Sequence, residues 1–214
     1  MKRGRRSGLK GSFITLEGPE GSGKTTQAQM LTEFLTAKGI DVVRTREPGG
    51  VSIAEKLREM LLDPDNIIFP KTELLLYASG RAQHTQELIM PALKEGKYVI
   101  CERYVHASLA YQGYGRGLDM KLIKQLNRIS TSGIKPNITF ILDIDVEDGL
   151  KRVQEANGKF DRLESENIGF HKKVRTGYIE LSREDPNIVV LDGGNYQDKI
   201  CHKMIQILKA RRII

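Results

Sequence analysis

Gly18-Pro19-Glu20-Gly21-Ser22-Gly23-Lys24-Thr25 is the segment of this chain whose chemistry is easiest to read. It matches G-x-x-x-x-G-K-[ST] in full, and an apolar run precedes it while a helical pattern follows. Gly18, Gly21 and Gly23 let successive backbone N–H groups curl around a phosphate, and the helix start adds partial positive charge. Lys24 is placed to reach the outer phosphates and the Thr25 hydroxyl to hold Mg²⁺, with Thr26 completing the stretch. Residues 18–26 therefore predict a nucleoside-triphosphate site.

A transferred phosphoryl group needs an acceptor, and three further segments have the right residue types. Glu102-Arg103-Tyr104 ends an apolar run, where an acid can meet a metal ion through water and a guanidinium can clamp phosphate. Arg46-Glu47-Pro48-Gly49-Gly50 forms a tight loop after another such run and leads to Arg58 on a helical pattern. Tyr77 and Arg81 stand four apart on a further helical pattern and so share a face. They suit stacking and reading of a base, and equally suit core packing beside a salt-bridged arginine.

These segments need a scaffold that brings them to one edge. Short β-branched runs at 13–17, 41–45, 98–101, 138–142 and 187–191 alternate with helical stretches, including 25–38, which stops at Gly39, and 71–94, which stops at Gly96. The runs lack clean polar alternation, as expected where helices cover both faces of a sheet. The pattern predicts an α/β fold: a doubly wound, five-stranded parallel sheet flanked by helices, with ligands at the carboxyl ends of the strands.

Composition narrows the class. At 214 residues with 39% hydrophobic and 29% charged positions, the chain suits one soluble domain. Two distant cysteines are too few for a disulfide framework or a tetrahedral metal site, which points to a reducing, cytoplasmic location. No run is long enough to span a membrane. The net charge of +7 is concentrated in residues 1–10, and the rest carries 29 bases against 27 acids. Residues 1–11 read as a disordered basic tail and 12–214 as a single domain, with no nucleic-acid partner expected.

Several stretches together resemble the bacterial type of thymidylate kinase: Leu16–Thr26, Thr45–Gly50, Leu75-Leu76-Tyr77-Ala78 with Arg81, Glu102–Tyr104, and Ser108-Leu109-Ala110-Tyr111-Gln112-Gly113. The resemblance implies ATP- and Mg²⁺-dependent phosphorylation of thymidine monophosphate, and a homodimer. By position, Tyr77 stacks on thymine, Arg81 and Gln112 read its edge, and Ser108 joins the substrate-binding set. Arg58 and Arg103 hold the acceptor phosphate, Tyr111 crowds the 2′ position, and Glu20 meets the 3′-hydroxyl. Glu47 and Glu102 fall among the family's metal-associated acids, and Glu47 also among the substrate contacts. The P-loop has no basic residue at its variable positions, so a mobile lid at about 151–162 supplies the catalytic arginine, Arg152 first and Arg162 second, alongside Lys24 and Arg103.

Three departures bear on this expectation. Glu102 replaces the family's usual Asp, the common Ala-Ala-Ser-Arg reads Ala78-Ser79-Gly80-Arg81 with Gly80 expected to loosen the base pocket, and the lid is poor in arginine. Deoxynucleoside kinases share a P-loop but need a carboxylate base and no arginine cage, so Arg58 argues against them. Other nucleoside-monophosphate kinases differ only in how they read the base. A guanine-nucleotide switch lacks its Asn-Lys-x-Asp signature here.

Overall fold

Strand β1 (Phe13–Glu17) is buried along its whole length, and its alternating side chains divide between two helical layers. Ile14 and Leu16 join Ile100, Phe140 and Leu142 under α1 (Lys24–Ala37) and α9 (Gln197–Ala210). On the opposite face Phe13 packs edge-on against Tyr104, and Thr15 and Thr139 share a hydrogen bond at 2.8 Å. The structure, a computed structural model, describes residues 9–214.

The remaining strands are β2 (Val42–Arg46), β3 (Tyr98–Glu102), β4 (Ile138–Asp143) and β5 (Ile188–Asp192). All pair in parallel in the order β2-β3-β1-β4-β5, giving the five-stranded doubly wound sheet that the alternation predicts. Because β1 lies between β3 and β4, the chain reverses its winding direction there, and a crevice opens at the carboxyl ends.

The second face is covered by α3 (Pro70–His84), α6 (Met120–Ser130) and α8 (Ile168–Glu184), with α2 (Ser52–Leu62) packed against α3. The single helix expected over 71–94 is interrupted: α3 passes through a π-helical turn, Thr85–Ile89, into α4 (Met90–Lys94). Pro91 explains the break, since it has no N–H to donate and its ring crowds the carbonyl four residues back. A second π-helical turn, Leu109–Gly115, follows the short α5 (Val105–Ser108) and packs closely on α6 and α8. Helix α7 (Val146–Asn157) occupies most of the stretch expected as a lid, leaving 158–167 as its connector to α8.

Most of the tail expected to be disordered over 1–11 lies outside the described residues. Its last positions are tied down: the N–H groups of Lys10 and Gly11 both donate to Leu93 O, at 3.1 and 2.9 Å. Among the described residues no helix is long and apolar enough to cross a membrane.

His106 on α5 is nearly enclosed, and its Nδ1 has no hydrogen-bond partner among the described residues. Burial and, secondarily, Arg81 push its pKa down to about 4. The unfolded chain binds this proton at its ordinary pKa of about 6.5, so stability from neutral His106 is full above that pH and is lost as pH falls through 4. We expect this residue to account for up to about 3 kcal/mol of acid destabilisation. Urea unfolding across pH 7 to 4 should show a shallower acid limb for His106→Gln; an unchanged limb would place the acid sensitivity elsewhere.

Candidate active site

The loop after β1 is shaped by glycines that no other residue replaces. Gly18 has φ 136° and a Cβ there would lie 2.3 Å from Leu142 O; Gly21, at φ 65°, lies against the backbone of Gly149 on α7. Gly23, at φ 87°, starts α1 without any side-chain cap, leaving its first N–H groups free for an anion. Lys24 Nζ donates back to Gly18 O, Pro19 O and Ser22 Oγ at 3.2, 2.7 and 3.1 Å. Burial and the nearby Arg103 push its pKa down to about 7, against the pull of Glu20, Glu102 and Glu17. Phosphate charge arriving beside it would restore the ammonium form.

Thr25 Oγ1 donates to Glu102 Oε2 at 2.6 Å across the gap between α1 and β3. A hydroxyl and a carboxylate at the mouth of the loop form an oxygen donor set that suits a hard cation such as Mg²⁺, with phosphate and water completing its shell. These residues and 20–26 line an open cleft of about 1200 Å³, bounded beyond the loop by Arg152 and the 193–198 segment.

A second cavity of about 120 Å³ adjoins it, and all nine residues expected to bind substrate line it: Glu20, Glu47, Arg58, Tyr77, Arg81, Arg103, Ser108, Tyr111 and Gln112. Glu20, Glu47, Arg58 and Arg103 also border the first cleft, so the two spaces meet there. Arg103 holds φ 62°, a left-handed conformation that costs a non-glycine residue about 1–3 kcal/mol. In return its guanidinium turns into the junction, donating to Gly18 O at 3.1 Å and to Glu20 Oε2 at 2.7 Å and lying over the Tyr111 ring at 5.0 Å. Tyr111 donates its hydroxyl to Glu20 Oε1 at 2.6 Å. Burial works against the Glu20 charge, but Arg103, Lys24 and Tyr111 outweigh it and hold the pKa below its ordinary value.

Of the two readings that its spacing from Tyr77 left open, Arg81 takes the salt-bridged place in the core, and it also lines the cavity. It is buried, donating Nε to Glu47 Oε2 at 2.7 Å, Nη1 to Ser108 Oγ and Asn127 Oδ1, and Nη2 to Tyr104 O. One Nη2–H remains without a partner among the described residues. Glu47, expected among the metal acids, has its other oxygen 3.1 Å from His84 Nδ1. Both carboxylate oxygens are therefore engaged inside the protein, and its evident task is to hold Arg81. Gly80 turns towards Leu57 and Ala54 of α2, with room for a methyl at 3.6 and 3.8 Å, so it faces α2 and not the base cavity.

The two lid arginines fall on different sides. Arg152 on α7 reaches Gly193 O at 3.2 Å and Gly21 O at 3.5 Å, beside the phosphate loop. Arg162 is held instead by Leu61 O at 2.7 Å through Nε and by Glu73 Oε2 at 2.7 Å through Nη2. Several residues escaped the sequence reading. Glu17 is fully buried beneath Arg103, accepting from Tyr104 N at 2.7 Å and Tyr178 OH at 3.0 Å; an acid ending an apolar strand was its only signal. Glu73 and Gly149 had none, because their partners lie far away in sequence.

A glycine-shaped phosphate loop on a doubly wound sheet, opening onto an arginine-lined cavity, defines the class of P-loop nucleotide phosphotransferases. Residues 16–205 match the thymidylate kinase family. The chain belongs to that family. It is 48% identical to the thymidylate kinase of Halothermothrix orenii over 204 residues, covering 94% of this chain and 98% of that one. It is likewise 48% identical to that of Syntrophotalea carbinolica, covering 90% and 92%. The crystal structure of thymidylate kinase from Ehrlichia chaffeensis superposes with a TM-score of 0.75 at 33% identity, covering 92% and 98%.

Gly149 tests how tightly α7 is set on the loop. Alanine there should favour the helix by about 1 kcal/mol, yet its Cβ would lie 2.3 Å from Glu20 O. Overpacking against backbone costs about 1–3 kcal/mol, so Gly149→Ala should be net destabilised and bind ATP more weakly. Urea denaturation and nucleotide titration check this; a more stable variant with unchanged binding would mean that α7 yields freely.

Proposed function

We propose that the protein transfers the γ-phosphoryl group of ATP to thymidine 5′-monophosphate, giving thymidine 5′-diphosphate for dTTP synthesis. The convergence of Arg58, Tyr77, Arg81, Arg103 and Gln112 on one cavity that adjoins the phosphate-loop cleft carries this reading. Tyr77 stacks on the base. The free Nη2–H of Arg81 donates to its O4, and Gln112 accepts from its N3–H. Arg58 and Arg103 hold the acceptor phosphate at the junction, where Arg103 exchanges its bond to Glu20 for one to phosphate. Glu20, released, takes the 3′-hydroxyl, and the Tyr111 ring leaves no room for a 2′-hydroxyl.

The acceptor oxygen is already anionic near neutral pH, so no strong general base is needed. The barrier is the approach of two anionic phosphates, and the protein lowers it by fixed charge and alignment. The loop amides of 18–25 and Lys24 cradle the donor phosphates, Arg103 spans donor and acceptor, and Arg152 adds charge from α7. Thr25 and Glu102 are the residues that would hold Mg²⁺, which supplies charge neutralisation at the donor phosphates. Arg162, engaged with Glu73, acts on the acceptor side. A nucleoside acceptor would bring no anion to Arg58 and give Arg103 nothing to exchange for its bond to Glu20, which disfavours the nucleoside-kinase alternative.

The enzyme works as a cytoplasmic homodimer. Ile53 and Met60 on α2, Phe69 and Leu75 at the start of α3, and Leu122 and Ile129 on α6 are large apolar side chains left exposed on helices that pack side by side. A second copy of the same surface is the self-complementary cover that twofold symmetry offers.

Coupled ADP-release assays with thymidine monophosphate, deoxyuridine monophosphate, thymidine and no acceptor test the reaction. Turnover should be highest with thymidine monophosphate and absent with thymidine, and Arg103→Ala should lower kcat/KM by about 10²-fold or more. Preference for thymidine would make the acceptor cavity a nucleoside site. Sedimentation equilibrium should give twice the chain mass, and Phe69→Glu with Ile129→Glu should shift it to the monomer; an unshifted dimer would put the interface elsewhere.

A further inference from the structure

Gln112 lines the acceptor cavity, yet an amide side chain is ambiguous: it can offer a base either its oxygen or its nitrogen. Here the ambiguity is removed from behind. Glu73, in the first turn of α3, is fully buried and accepts from Gln112 Nε2 at 2.9 Å through Oε1. Ionised carboxylate is acceptor-only, so only the nitrogen end of the amide can face it. The end left to a ligand is Oε1, which has no partner among the described residues.

Glu73 is itself held as the anion. Arg116 donates to it through Nε at 3.3 Å and Nη2 at 3.1 Å, and Arg162 Nη2 lies 2.7 Å away. Burial works to raise its pKa, but the bonds from Arg116, Gln112 and Arg162 outweigh burial and leave it below its ordinary value. Arg116 is fixed in turn by Glu166 at 2.6 Å and by the Phe170 ring at 4.6 Å. A protonated or rotated Glu73 would break this set at several points at once.

We propose that Glu73 is the positioning residue for base specificity: it locks the Gln112 amide so that the cavity presents an acceptor beside the Arg81 donor. That order pairs with adjacent C=O and N–H groups, the edge of thymine and uracil. Cytosine has the reverse order, an amino group and a bare ring nitrogen, and would set donor against donor and acceptor against acceptor. Discrimination by mispaired buried polar groups is far steeper than by shape. This inference rests on the acceptor cavity being the thymidylate site, and it adds a residue that touches no substrate.

The test measures kcat and KM for thymidine monophosphate and deoxycytidine monophosphate on wild type and Glu73→Gln. A glutamine at 73 can face Gln112 with either end, so Gln112 can turn. The ratio of kcat/KM for the two substrates should fall by about 10- to 100-fold, with the change on thymidine monophosphate mainly in KM, as for lost binding rather than lost transition-state contacts. Both substrates share one sample, so a smaller folded fraction cancels from the ratio. Parallel losses with an unchanged ratio would overturn the proposal and leave Glu73 a structural anchor. If Glu73→Gln strands its arginines and does not fold, Glu73→Gln/Arg116→Gln removes one buried cation and is read in the same way. Wild type supplies a further arm: N3-methylthymidine monophosphate used as well as the parent would overturn the acceptor role of Gln112 whatever the variants do. No turnover of thymidine monophosphate by wild type would instead overturn the proposed function itself.

Discussion

The buried ion pair between Glu47 and Arg81 is the constraint on which the acceptor half of the molecule depends. Two charges taken from water are costly unless every remaining donor and acceptor is satisfied. Here Arg81 spends four N–H groups on Glu47, Ser108, Asn127 and Tyr104 O, drawing α3, α5, α6 and the loop after β2 to one point. Glu47 returns its second oxygen to His84 one turn further along α3, whose Nε2 is 2.7 Å from Thr45 Oγ1. Apolar packing could hold these elements together but could not fix their rotation. A network in which each partner has one acceptable position does so, and one remaining guanidinium N–H is left aimed by it.

The donor half is organised by a balance of opposite charges at rest. Lys24 is buried and Arg103 partly buried beside it, and Glu17, Glu20 and Glu102 surround them. Neither sign can be removed without stranding the other. Substrate phosphates therefore enter a site whose cations are already placed, and the exchange proposed at Glu20 needs only that Arg103 turn from one anion to another. The preorganisation is in the backbone: the strained φ of Arg103 and the glycine turns of the loop are set by folding, before any ligand arrives.

What could be read from the sequence follows contact range. The P-loop and its strand and helix were legible because loop chemistry and period are local, and the five strands were found to within a residue at each end. The acceptor residues were legible through a resemblance, since Arg58, Tyr77 and Gln112 carry no local mark of a shared cavity. Arg162, expected as the second lid arginine after Arg152, is engaged by Leu61 and Glu73, which lie about a hundred residues back and leave no mark in its own stretch of sequence. Glu73 drew no reading, because in sequence it is indistinguishable from any first-turn acid that favours a helix start. Gly149 drew no reading either, and only the approach of Glu20 O gives a glycine inside α7 its reason.

Glu102 shows how a departure from the family pattern can be absorbed. Its side chain is one methylene longer than the usual Asp, and the carboxylate spans from the end of β3 to the first turn of α1, reaching the Thr25 hydroxyl at 2.6 Å. The two oxygen ligands available to a metal are thus bonded to each other while β3 and α1 stay where the sheet puts them. An aspartate on the same backbone would stop short of that hydroxyl, leaving water to bridge the difference. The longer arm changes which atoms meet without moving the elements, because β3 pairs through Glu102 itself with both β1 and β2 and cannot slide. The charge that phosphoryl transfer requires is kept, and the sheet determines where it can stand.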